Sequence, residues 1–306
     1  IAKAKELKQE FRMNQEEPYD AIVVGTGISG GWAAKELCEN GLKTLVLERG
    51  PMVKHIEDYP TMNDDPWDYP LKGELSVEDK KKYHIQNRVG WAPKEDVKHF
   101  FVNDLEHPYV ETKRFDWIRG YQVGGRSLTW GRQSYRWSDI DFEANKKEGI
   151  AVDWPIRYKD LEKWYDYVEG WAGICGQKEG LSQLPDGNFL PPMELNCVEQ
   201  HVRERVAEKF NDRILTIGRN ANLTRPHNGR GKCQFRNLCM RGCPHGAYFS
   251  SNASTLPAAE KTGNLTIRPF SIGMEVLYDK NTKKATGVRI KDSQTKEVID
   301  YNAKIV

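Results

Sequence analysis

The sequence contains no run of 18 consecutive apolar residues, so no segment reads as a membrane-spanning helix and the chain is expected not to be an integral membrane protein. A dominant charge is missing too. Against 46 Lys and Arg stand 44 Asp and Glu, a net charge of +2, with the two signs interspersed; this argues against a nucleic-acid surface. There is no evenly spaced cysteine framework: of six cysteines, three crowd into residues 233–243, a clustering that suits a metal site better than disulfides. The chain opens on Ile1 and closes on Val306 inside an apolar run, so both ends read as cut and the absence of a signal peptide carries little weight. The 306 residues allow one large or two modest domains with a sizeable core. Nine tryptophans fit either an aromatic core or a sugar-stacking surface.

The stretch Tyr19–Gly50 reads as strand, glycine turn, helix and second strand. Ala21–Val24 is a short β-branched apolar run of the kind found in buried parallel strands. Gly25, Gly27 and Gly30 complete G-x-G-x-x-G directly after it. The three glycines serve separable needs: a tight turn, close approach of backbone to a pyrophosphate, and close helix–strand packing. Ile28 and Ser29 open the helix, whose free N–H groups would face phosphate. Glu48 ends the second strand 23 residues after Gly25, where an acid accepts from ribose hydroxyls. The fold class that follows is α/β, a Rossmann-type dinucleotide-binding domain. The ending Glu48-Arg49-Gly50 is similar to the flavoprotein version of this fold and favours FAD over NAD.

Residues 1–18 read as a charged N-terminal arm. From Pro51 to about Val110 the chain is rich in Pro, Asp and Lys and shows little periodicity, which predicts long excursions with short helices, Val77–Tyr83 among them. Arg119–Trp137 carries the pair Gly124-Gly125, then Ser127, Thr129, Trp130 and Gly131. Its glycines allow close approach to a flat ligand and its hydroxyls could meet ring heteroatoms; the alternative is a glycine-bearing strand with an aromatic core. Leu161, Trp164, Tyr165, Val168 and Trp171 form an apolar stripe on a helix within Asp153–Trp171, expected to face the core. Leu195–Phe210 reads as a second helix with Val198, Val202, Val206 and Phe210 on one stripe. Leu265–Arg268, Gly273–Tyr278, Thr286–Lys291 and Val298–Tyr301 read as an antiparallel meander, and Ala303–Val306 as the start of a further strand. The domain reading is 19–135 for the FAD-binding part, 136–264 for a helical region with the cysteine loop, and 265–306 for the meander and returning strand.

Within Lys232–Ala247, Cys233, Cys239 and Cys243 have the spacing C-x5-C-x3-C followed by Pro244. Three thiolates on one short glycine-containing loop can hold an iron–sulfur cluster, either a three-iron cluster or a four-iron one with a non-cysteine ligand. Zinc bound by these cysteines and His245 is a second reading, although His245 lies only two residues beyond Cys243. No metal at all is a third.

On the turn Gly25–Gly30 with Glu48, the segment Gly124–Gly131 and the loop C-x5-C-x3-C-P followed by Gly246-Ala247, the chain resembles the glucose–methanol–choline (GMC) flavoprotein oxidoreductases, from about Tyr19 to Val306. Within that family it is most similar to the sugar-oxidising branch. The resemblance implies a Rossmann-type FAD domain interrupted by antiparallel sheet and helical insertions, the N-terminal part of a GMC fold. It implies that Gly25, Gly27, Ile28, Ser29 and Gly30 meet the FAD pyrophosphate and that Glu48, with Arg49, meets the adenosine end. Arg119, Gly124, Gly125, Ser127, Thr129, Trp130 and Gly131 would lie along the ribityl chain and isoalloxazine, and the backbone of Ile272 would touch adenine. Thr129 stands where some relatives attach flavin through a His, so non-covalent FAD is expected. The resemblance makes a [3Fe-4S] cluster on Cys233, Cys239 and Cys243 the leading metal reading.

The family's catalytic His pair is expected beyond Val306. None of the seven histidines, at 55, 84, 99, 107, 201, 227 and 245, is in its context, so no catalytic residue is assigned. The function expected is an FAD-dependent dehydrogenase acting on the CH–OH group of a sugar or glycoside, with hydride passing to flavin N5. Electrons would leave through the cluster to an external acceptor such as cytochrome c. A small escort subunit and a periplasmic location come with the resemblance. The rival readings are a GMC-type sugar oxidase with structural or zinc-binding cysteines, and a non-enzymatic dinucleotide-binding module.

Overall fold

A computed structural model describes residues 19–89 and 94–306; the expected N-terminal arm lies outside the described residues. The chain divides into two compact units. One comprises Ile1–Thr129, Met240–Gly242 and Ser250–Val306, the other Trp130–Cys239 and Cys243–Phe249.

The first unit is built on a six-stranded sheet in the order β3-β2-β1-β6-β5-β4. Strand β1 (Tyr19–Val24) runs into helix α1 (Ile28–Glu39) and returns as β2 (Thr44–Leu47), pairing in parallel from Ala21↔Thr44 to Val24↔Leu47. All four side chains of β2 are buried, as the unbroken apolar run required. Short helices α2 (Val77–Lys82) and α3 (His84–Arg88) interrupt the long excursion after β2, close to where the sequence placed one. Ser76 caps α2 by accepting from the N–H of Asp79 at 3.0 Å. Helix α7 (Thr255–Glu260) then delivers the chain to β3 (Leu265–Arg268). The helices α4 to α6 belong to the other unit.

Two expectations for the C-terminal strands need correction. Leu265–Arg268 is no part of the meander; it pairs in parallel with β2, from Thr44↔Leu265 to Leu47↔Arg268, as the third strand of the Rossmann half. The meander is β4 (Ser271–Asp279), β5 (Lys284–Asp292) and β6 (Val298–Ile305). Val298–Tyr301 and the run from Ala303 are one strand. Asn302, a polar residue that reads as a break, stays extended because it pairs with Gly287. The first half of β6 is antiparallel to β5, and its second half is parallel to β1 through Tyr19↔Ala303 and Ala21↔Ile305. Tyr19, Ile22, Leu45, Leu47, Val288, Ile290 and Tyr301 form the core that holds both halves of the sheet together.

The second unit contains α4 (Asp139–Glu148), α5 (Tyr158–Ala172) and α6 (Cys197–Lys209). Ser138 and Asp141 close a capping box on α4, and Gly149 ends it in the left-handed region at φ 66°. The apolar stripe of α5 is not core: Trp164 is 56% exposed and Val168 is also exposed, while Glu169 on the same helix is buried. Glu169 is drawn in by Arg136, whose guanidinium also bonds Asp166 and Tyr158. Helix α6 buries none of its residues, so its Val198, Val202 and Phe210 stripe likewise faces outward. Amphipathic spacing identified both helices, yet what α5 buries is the ion-paired Glu169 together with Ala172, and α6 buries nothing.

Candidate cofactor site

The glycine turn forms as its spacing requires. Gly25 has φ 95°, a conformation open to glycine at no steric cost. A Cβ on Gly25 or on Gly27 would meet nothing within 4 Å, so both border open space where a ligand's phosphates could approach the backbone. Gly30 differs: a Cβ there would run into the carbonyl of Gly25, which fixes it as the helix–strand packing glycine. Gly27 is the N-cap of α1 and offers no side-chain cap, and the first turn carries no acid. The first N–H groups of α1 are therefore left for an anion, with Ile28 and Ser29 exposed beside them.

Glu48 is 7% exposed at the end of β2. Its Oε2 accepts from the N–H of Thr26 at 3.0 Å and from the Thr26 hydroxyl, and its Oε1 accepts from the N–H of Gly50 at 3.1 Å. Ser271 and Phe270 tie the start of β4 to the same corner, donating to the carbonyls of Glu48 at 2.7 Å and Gly50 at 3.0 Å. Ile272 follows in register with Lys291 of β5, and a Cβ on Gly273 would press on Val24 at 3.2 Å. Ile272 thus lies close to the carboxyl ends of β1 and β2, where doubly wound folds bind nucleotides. The exposed Arg49 guanidinium stacks over Tyr121 at 4.0 Å.

The second glycine segment joins the first. Gly124, at φ 89°, donates its N–H to the Thr26 hydroxyl at 2.9 Å. Gly125–Leu128 is a 3-10 turn and not a strand. Ser127 Oγ donates to the carbonyl of Gly124 at 2.6 Å and accepts from the N–H of Ser251 at 3.0 Å, so it braces this turn. The hydroxyl of Thr129 is buried without a hydrogen-bond partner among the described residues. Arg119 is 4% exposed; it pairs with the buried Asp104 at 3.1 Å and lies over the rings of Tyr109, Trp117 and Tyr121. Burial pushes the His107 imidazole down, and the nearby Arg49 and Arg119 push it further, against Glu106. Trp130 and Gly131 belong to the second unit, where the Trp130 indole donates to the carbonyl of Phe249 at 2.8 Å.

These residues fit FAD. The backbone is open at Gly25 and Gly27, the helix N-terminus is uncapped, and a buried acid stands at the end of β2. Thr26 and Asn252 were missed from sequence. Thr26 fills a variable place of the glycine motif, and Asn252 sits in a run of small polar residues with no recognisable spacing.

Cys233, Cys239 and Cys243 belong to the second unit, and Met240–Gly242 of the same loop to the first. All three of its thiols are partly buried, and Cys233 Sγ accepts from the N–H of Phe235 at 3.4 Å. Burial pushes the Cys239 thiol up; Arg132 pulls it down, and Cys233 and Cys243 push it up again. Among the described residues no group of three or more His, Cys, Asp and Glu could hold a metal ion, so the geometry supports neither the expected cluster on Cys233, Cys239 and Cys243 nor the zinc site with His245. His245 is exposed, and its carbonyl accepts from Gly231 at 2.8 Å.

A family profile described as GMC oxidoreductase matches residues 19–306. The chain is 26% identical over 259 residues to the fructose dehydrogenase large subunit of Gluconobacter japonicus, covering 80% of this chain and 44% of that protein. It is 26% identical over 319 residues to the gluconate 2-dehydrogenase flavoprotein of Pantoea cypripedii, covering 94% and 49%. To the 2-methyl-1,2-propanediol dehydrogenase of Mycolicibacterium austroafricanum it is 25% identical over 302 residues, covering 94% and 48%. The chain spans about half the length of these curated relatives.

Proposed function

The chain belongs to the GMC oxidoreductase family, and on that footing we propose that it is the FAD-binding half of a dehydrogenase acting on the CH–OH group of a sugar or sugar derivative. The observation that carries this reading is the glycine cradle. Its three glycines, uncapped helix and buried Glu48 together form a dinucleotide site within one unit. Two of the relatives are named for the oxidation of fructose and gluconate, which supports the sugar class of substrate.

Bound there, FAD supplies a two-electron hydride acceptor for an alcohol carbon. The chain's own residues bind and orient. N–H groups at Gly27–Ser29 would meet the pyrophosphate, Glu48 would accept from ribose hydroxyls, and the Gly124–Thr129 turn would lie along the flavin. The base that takes the hydroxyl proton is assigned to the sequence after Val306.

Cys233, Cys239 and Cys243 would hold an iron–sulfur cluster, a one-electron outlet suited to an acceptor such as a cytochrome c. The spacing C-x5-C-x3-C of three partly buried thiols on one loop supports this. So does their setting: between Asp212 and Glu260 the sequence has seven Lys and Arg and no acid, a surrounding able to offset anionic thiolates. Assembly with a small partner subunit follows from the same reading, since one relative is named as a large subunit. Export to the periplasm rests on resemblance to the sugar-oxidising branch.

The test is an absorption spectrum of the purified full-length protein with iron and zinc analysis on the same sample. Flavin bands that bleach when an aldose is added under argon, with about three irons per chain, are expected. Flavin with no iron would replace the cluster with the oxidase reading, and a colourless protein would overturn both.

A further inference from the structure

Resting on the reading of the first unit as an FAD site, we propose that Thr26 is a positioning residue: its hydroxyl locks the two glycine segments together and fixes the Gly124–Thr129 turn relative to Glu48. Thr26 occupies the place between the first two glycines of the motif and is 0% exposed. A hydroxyl can donate once and accept twice. Here it donates to Glu48 Oε2 and accepts from the N–H of Gly124, 98 residues along the chain.

Both ends of that relay matter to a cofactor. A carboxylate offers about four lone-pair sites, and three of those on Glu48 are taken by Thr26 N–H, the Thr26 hydroxyl and Gly50 N–H. Glu48 is thus oriented before any ligand arrives, with acceptor capacity remaining for a ribose hydroxyl. At the other end Gly124 is held on every side. Thr26 takes its N–H, Ser127 donates to its carbonyl, and a Cβ on it would run into the Asn252 carboxamide. Asn252 Nδ2 in turn donates to the carbonyls of Val53 at 2.7 Å and Val123 at 3.1 Å. Asn252 braces the turn from one side while the Thr26 hydroxyl ties it to the nucleotide end from the other.

Valine has the shape of threonine without the hydroxyl, so Thr26→Val leaves the buried Gly124 N–H without its acceptor and Glu48 with one donor fewer. The full-length protein, stripped of flavin and titrated with FAD by fluorescence quenching, should bind FAD about tenfold more weakly in this variant, as expected for the loss of about one buried hydrogen bond. The visible circular dichroism of the bound flavin should change too, a signal that a merely structural contact would leave in place. Thr26→Ser keeps the oxygen and should restore both affinity and spectrum. If Thr26→Val matches the wild type in both measurements, or Thr26→Ser is as impaired as Thr26→Val, the proposal is wrong. If the wild type itself takes up no FAD, the reading of the site fails first. Should Thr26→Val not fold, Thr26→Ala, which also lacks the hydroxyl, takes its place in both measurements with the same expected and contrary results.

Discussion

The two units solve the problem of building a site in different ways. In the first, the cradle is made almost wholly of backbone: glycines that leave room, an uncapped helix start, and a strand end that presents one acid. In the second, the fold is held by buried charged side chains, Arg136 with Glu169 and Arg219 with Glu179, and its candidate metal site depends on three side chains converging. A backbone site is complete once the fold forms. A side-chain site needs its side chains brought together, and among the described residues no group of three or more His, Cys, Asp and Glu could hold an ion.

The sharpest test of that contrast lies in the second unit. Arg136→Met strands the buried Glu169, and removing one partner of a buried pair costs about 3–5 kcal/mol. Denaturant unfolding should show a loss of that size; a loss below about 1 kcal/mol, typical of surface pairs, would mean that the ion pair is not what organises this unit. A smaller effect is expected at Gly30. A Cβ there collides with backbone, so Gly30→Ala should cost about 1–3 kcal/mol and lower the flavin-to-protein ratio on purification. Normal stability and flavin content would show that the helix–strand contact tolerates more than its geometry allows.

The smallest effect concerns pH. Burial pushes the Asp292 carboxyl up, but the N–H groups of Thr295 and Gln294 and the Arg268 guanidinium outweigh it and leave the group below its ordinary value. A carboxyl held low when folded adds stability that is fully present above its unfolded value, about 3.9, and is lost as pH falls through the folded value. Wild-type protein should therefore lose stability more steeply than Asp292→Asn as pH falls below about 4. Parallel curves would remove Asp292 from the account.

The same contrast explains what was legible in the sequence. Gly25, Gly27, Gly30 and Glu48 could be placed because backbone geometry has a spacing signature. The apolar stripes of α5 and α6 were correctly read as helical, but that of α5 was wrongly assigned to the core, because periodicity reports a face and not what covers it. Leu265–Arg268 was misread as part of the meander since a short β-branched run carries no mark of parallel or antiparallel pairing. Thr26 and Asn252 left no signature at all; their roles come from partners up to 199 residues away.

The central claim is that the first unit's backbone makes the flavin site independently of the cysteine loop. Measuring bound FAD per chain in the full-length wild type and in a variant with Cys233, Cys239 and Cys243 all changed to Ser tests it directly. The account predicts one FAD per chain in both, with iron lost only from the variant. No FAD in the wild type, or loss of FAD together with iron in the variant, would contradict it.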